Sequence, residues 1–104
     1  MKPDNNQYYA VIFNSKLTSN TKGYDEMNDE LMKIIKSQKG FIKIDSVRND
    51  AVGITISYWK DVAGILAWKE NEWHKKAIAK GKSTWYESYT LRICKVEREY
   101  FFEK

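Results

Sequence analysis

His74 is the chain's one histidine. Imidazole is the side chain whose ordinary pKa lies near neutrality, so it is the first candidate for moving a proton. Six residues before it stands Trp68, and Trp59, Trp68 and Trp73 fall within fifteen residues. Indole at that density marks either the wall of a ligand cavity or a packed hub. Asn14 interrupts the apolar run that begins at Tyr8, and an amide there needs a partner or a ligand, to which it both donates and accepts. Together the three could serve a bound ligand: His74 as a base, Asn14 as a donor and acceptor that orients it, and Trp68 as a wall of the pocket. Tyr58, Phe13 and Trp59 are expected to line it, and Arg92 to face an anionic substrate.

Each of these residues also has a reading without chemistry. Asn14 would bond to the nearby Thr18–Thr21 loop, Trp68 would be core, and Trp59 and Trp73 would pack. Tyr86 and Tyr89, like Tyr58, are candidates to line the cavity, with strand packing as the reading without chemistry. Arg92 would pair with Glu97 or Asp45, and His74 would be an exposed or structurally hydrogen-bonded residue beside Lys75 and Lys76. If it is a base, those lysines are expected to lower its pKa and hold it neutral.

Other chemistries lack their residues. One histidine and one cysteine (Cys94) match no zinc spacing, and there is no glycine-rich phosphate loop or dinucleotide fingerprint. The net charge of +4 comes from lysines dispersed among acids. Only three arginines are present (Arg48, Arg92, Arg98), so no nucleic-acid surface is expected. The lone cysteine points to a reducing, cytoplasmic setting. Met1–Gln7 is polar and expected to be flexible, with no signal peptide, and no apolar run is long enough to span a membrane.

At 104 residues, with 42% hydrophobic and 14% aromatic side chains, the chain has room for one core and therefore one domain over 1–104. The patterning that must position the candidates reads as follows. Tyr8–Lys16 is a strand covered on both faces. Tyr24, Met27, Leu31, Ile34 and Ile35 recur at helical spacing over about 22–38, with Gly40 as the stop. Phe41–Arg48 and Val52–Trp59 form a hairpin around Asn49-Asp50. Asp61 caps a helical region that breaks near Glu70-Asn71 and ends at Gly81. Trp85 to about Phe101 is a long alternating strand. The order β-α-β-β-α-β is the ferredoxin-like α+β plan, with a four-stranded antiparallel sheet. Strands one and four look apolar on both faces, so a second copy is expected to cover the face without helices.

Tyr9–Phe13, Gly40-Phe41, Ile54–Trp59, Ala67-Trp68, Glu72-Trp73-His74 and Trp85-Tyr86 carry a resemblance to the antibiotic-biosynthesis-monooxygenase superfamily over nearly the whole chain. The resemblance implies a homodimeric α+β barrel and a small-molecule substrate. Quinone-forming members oxygenate phenols and anthrones with no metal or flavin. More distantly related members degrade haem, using a strand-one asparagine, matched by Asn14, and a tryptophan, matched by Trp68. Their histidine iron ligand falls where this chain has Ile78, four residues beyond His74. The expectation is therefore a cofactor-independent monooxygenase acting on an electron-rich aromatic. Haem degradation is the disfavoured alternative, and a binding or structural dimer without chemistry is a third reading.

Overall fold

The alternation along the first strand sets the architecture. In a computed structural model describing residues 7–104, β1 (Tyr8–Leu17) turns Tyr9 and Val11 toward the helices, where both pack on the core. The sheet is completed by β2 (Phe41–Arg48), β3 (Gly53–Trp59) and β4 (Tyr86–Val96). Its order is β2-β3-β1-β4, and every pairing is antiparallel. Helices α1 (Tyr24–Ile35), α2 (Val62–Lys69) and α3 (Glu72–Lys80) complete a ferredoxin-like α+β fold. The expectation of a flexible Met1–Gln7 falls mostly outside the described residues. No described helix is long and apolar enough to cross a membrane.

Most boundaries follow local chemistry. Asp61 caps α2 by accepting from the Gly64 N–H at 2.8 Å, and Asn49 Oδ1 accepts from Ala51 and Val52 N–H to close the hairpin. That last bond holds Val52 in the turn, so β3 begins at Gly53 and not at Val52. α1 is shorter than its periodicity suggests: Gly23 precedes it in a left-handed conformation (φ 86°), and Ser37 and Gln38 N–H tighten the chain onto the Ile34 and Ile35 carbonyls.

Two expectations are corrected. Gly81 does not end the second helical region: it stays right-handed (φ −59°), and the chain continues as a π-helical turn, Gly81–Trp85. The last strand does not reach Phe101. Among the described residues its ladder with β1 ends where Tyr8 pairs with Val96, and Tyr100, Phe101 and Phe102 are exposed.

The core centres on Trp59, which is fully buried, with Ile35, Ile65 and Trp68 around it. Gly64 lets α2 approach this cluster. A methyl group there would stand 2.7 Å from the Lys39 carbonyl oxygen and 3.2 Å from the Trp59 ring. Neither neighbour is a flexible side-chain end that swings away. Gly64→Ala is therefore expected to destabilise the fold by about 1–3 kcal/mol despite better helix propensity. Urea unfolding monitored by tryptophan fluorescence reads this as a lowered midpoint with unchanged slope.

Candidate functional site

A cavity of about 740 Å³ lies between the helices and the sheet. Its walls are mainly apolar, with Trp59, Trp68 and Phe13 among them, and His74 opens onto it. Trp68 closes α2, while His74 lies in the first turn of α3. On one unbroken helix a six-residue spacing would place them about 120° apart around the axis. The break removes that constraint. Asn71 caps α3, accepting from Trp73 N–H at 2.9 Å and His74 N–H at 3.2 Å, and the reversal sets imidazole on indole. Their ring centroids are 4.8 Å apart, at 32° between planes.

The imidazole Nδ1 exposes less than 1 Å² and has no hydrogen-bond partner. Burial pushes the His74 pKa below its ordinary value, and a hydrogen bond with the Lys69 main chain raises it to a lesser degree. Burial thus favours the neutral ring, with desolvation as the main cause rather than neighbouring lysines. Lys75 is paired with Glu70 at 3.8 Å, and Lys76 lies 5.1 Å from the Trp73 ring centroid.

Strand parity divides the remaining candidates. Phe13 faces the cavity, between Tyr86 (5.5 Å between centroids) and Tyr89 (5.1 Å). Trp59 also faces it, but its indole N–H is already used, donating to Ser57 Oγ at 2.9 Å. Asn14, next to Phe13, points to the opposite sheet face, between Ile54 and Thr90 on the flanking strands. Its Oδ1 is buried and without a partner, so the expected bond to the Thr18–Thr21 loop is absent. Tyr58 follows the same parity, lying against Tyr8 with Lys43 5.1 Å from its ring centroid. Arg92 lies across from Ile12 on that face. His74, Trp68, Phe13 and Trp59 therefore share a cavity, whereas Asn14, Tyr58 and Arg92 do not join them.

The cavity is also lined by Tyr86 and Tyr89, which the sequence offered as pocket lining or as strand packing. The Tyr86 ring packs on Gly81, where a side chain would strike it, and stands edge-on to Tyr24 with centroids 6.0 Å apart. Burial, followed by the adjacent Tyr24, pushes the Tyr86 phenol well above its ordinary pKa, with Arg48 opposing. Arg48 sits 5.7 Å from the Tyr24 ring centroid and donates to Ser15 Oγ. Arg48 is exposed and is not among the residues that line the cavity; only the strand register shows that it crosses to Ser15. Among the described residues no cluster of three or more His, Cys, Asp or Glu is placed to hold a metal.

This layered arrangement, a four-stranded antiparallel sheet with helices over a cavity on one face, is the fold of the antibiotic-biosynthesis-monooxygenase proteins. A solved structure of an antibiotic biosynthesis monooxygenase superposes with a TM-score of 0.69 at 13% identity, covering 82% of this chain and 94% of that one. SnoaB from Streptomyces nogalater, a cofactor-independent oxygenase solved as the N63A mutant, superposes at 0.70 with 9% identity, covering 83% and 89%. No family model matches the sequence. The uncharacterized protein YqjZ of Bacillus subtilis (strain 168) is 42% identical over 98 residues, covering 93% of this chain and 86% of YqjZ. The chain belongs to the YqjZ family.

The buried imidazole has a thermodynamic signature. With its folded pKa below the ordinary value of 6.5, the unfolded chain binds more protons as pH falls through that value. The stability that neutral His74 allows is present above pH 6.5 and lost progressively below it. His74→Phe keeps the stacking on Trp68 and removes the proton. Thermal unfolding between pH 7.5 and 5 should show the wild type losing Tm relative to this variant as pH drops. A constant difference between the two would mean that the imidazole is not buried as described.

Proposed function

We propose that the protein is a small monooxygenase that oxidises an electron-rich aromatic molecule in this cavity without a bound cofactor. One observation carries the reading: a neutral imidazole with an unpartnered nitrogen stands in the wall of an apolar cavity. A buried polar atom without a partner calls for an explanation, and catalysis is one of the recurring ones. His74 takes the acidic proton of a phenol or anthrone. The resulting anion reduces molecular oxygen: one oxygen atom enters the ring as a quinone carbonyl, and the other leaves as water with the two hydrogens that the substrate loses. Trp68 holds the imidazole from behind. The reading assigns Asn14 no orienting role, because that residue faces away from the cavity. SnoaB, described as a cofactor-independent oxygenase, supports the choice of chemistry through the shared fold. Against haem ligation stands Ile78, which occupies the ligand position implied by the resemblance and carries no donor atom.

One observation favours a second reading, a small-molecule-binding protein without chemistry. His74 Nδ1 exposes almost no surface, so proton transfer through that atom needs the imidazole to rotate off Trp68. Oxygen uptake with anthrones and hydroquinones, using colourless chelator-treated protein, separates the two. The oxygenase reading expects saturable uptake and a loss of about 10²–10⁴-fold in kcat for His74→Phe. Binding without uptake would establish the second reading. A saturable Soret shift with haemin, followed by loss of the band on adding reductant in air, would replace both.

We also propose that the protein works as a homodimer, in keeping with a cytoplasmic setting for its lone Cys94. The helix-free face presents Ile12, Ile54, Ile56 and Tyr58 beside the unpartnered Asn14 amide, with Val47 69% exposed. An apolar sheet face of this kind is normally covered. Light scattering on a sizing column is expected to give twice the chain mass for the wild type and the single-chain mass for Ile12→Glu. A monomeric wild type would overturn the assignment.

A further inference from the structure

Apart from Lys69, every residue of α2 is apolar or glycine. A helix that is apolar all round is normally enclosed on every side, yet only Gly64, Ile65 and Trp68 of α2 are buried. Val62, Ala63, Leu66 and Ala67 stand exposed, Leu66 by 53%. Trp73, in the first turn of α3, is 47% exposed, whereas the other three tryptophans are buried.

The charges around this face are mainly of one sign. Residues 60–82 hold Lys60, Lys69, Lys75, Lys76, Lys80 and Lys82 against Asp61, Glu70 and Glu72, so the stretch carries three of the chain's four net positive charges. Two of its three carboxylates are engaged. Asp61 caps α2 through the Gly64 N–H, and Glu70 pairs with Lys75 at 3.8 Å. Trp73, Lys76 and Lys80 follow at i, i+3 and i+7, which puts them on one side of α3. Lys76 Nζ lies 5.1 Å from the Trp73 ring centroid. The face also borders the cavity, because Leu66 and Lys69 are both exposed and part of its lining.

The kind of cation indicates the kind of partner. Protein interfaces are enriched in arginine and depleted of lysine, and a guanidinium makes fixed, forked contacts. Residues 60–82 contain six lysines and no arginine. An ammonium is a compact charge that needs no particular partner geometry. An apolar centre with a half-exposed indole and a rim of lysines matches the boundary of an anionic bilayer, where acyl chains lie beneath a layer of phosphates.

We propose that α2 and the outer side of α3 dock the protein on an anionic membrane surface. Val62, Leu66 and Trp73 enter the headgroup boundary, and Lys69, Lys76 and Lys80 meet lipid phosphates. α2 is eight residues long, so it lies on the bilayer and does not cross it. The cavity then opens beside the lipid. Docking of this kind is independent of the reaction run in the cavity.

The test is flotation of the full chain with large vesicles in about 50 mM salt, where surface charges are little screened. Equimolar phosphatidylglycerol–phosphatidylcholine vesicles are compared with phosphatidylcholine alone. Each lysine near an anionic surface strengthens partitioning about fivefold, so the protein is expected to prefer the anionic vesicles by about tenfold or more. Lys76→Glu/Lys80→Glu should lose that binding by a similar factor. Lys33→Glu/Lys36→Glu on α1 makes the same change in net charge and should keep it within about threefold. All four lysines are exposed, and an unchanged circular dichroism spectrum checks that both variants fold. Brominated lipid in the anionic vesicles should quench part of the tryptophan emission. Trp73→Phe should remove that quenching and still float. Equal binding to both vesicles overturns the proposal, as does equal loss in the two lysine pairs or quenching that survives Trp73→Phe. A protein that floats with neither vesicle also overturns it and leaves an acidic protein as the occupant of this face.

Discussion

The burial of Trp59 is the constraint on which the rest of the molecule depends. It is the one large side chain among the described residues with no exposed surface, and a buried indole of this size contributes about 4–6 kcal/mol of transfer free energy. It ends β3, stands edge-on to Phe41 with centroids 5.5 Å apart, and determines how closely α2 lies on the sheet. Its N–H is satisfied by Ser57, two residues earlier on the same strand face. A polar group is thereby removed from the cavity floor without help from any ligand. The indole that lines the pocket therefore offers it no free polar group.

Holding Trp59 inward also decides the sheet's parity, and this is where the sequence was only partly legible. The element order, the hairpin at Asn49, the cap at Asp61 and the helical break near Asn71 all rest on local chemistry and could be read directly. Which face each strand residue takes could not. Strand parity is visible when one face is polar, but here Tyr8, Ala10 and Ile12 are as apolar as Tyr9, Val11 and Phe13. Asn14 was therefore readable as an exception in an apolar strand, not as a residue turned from the helices. Tyr58 and Arg92 fall on the wrong side for the same reason.

The pair formed by Trp68 and His74 shows the opposite case, in which spacing alone misleads. Measured along a continuous helix, their separation argues against contact. The chain breaks between them, and Asn71 restarts it with its own side chain as cap, so the two rings stack. Residue types identified the pair, and the capping asparagine supplied the geometry. Arg48 was beyond reach for a third reason. Its destination depends on which glycine lies beside it across the hairpin, a property of register rather than of composition.

These placements decide what the cavity can do with a proton. Burial favours the uncharged imidazole and so keeps it able to accept one. In the proposed reaction, proton transfer to His74 would create an imidazolium and a ligand anion together. The imidazolium, costly beside Trp68 in isolation, forms only when the ligand anion that stabilises it is adjacent. The arrangement therefore favours proton loss from a seated ligand over protonation of His74 by water, and that difference separates a base in a binding cavity from a histidine merely packed in one.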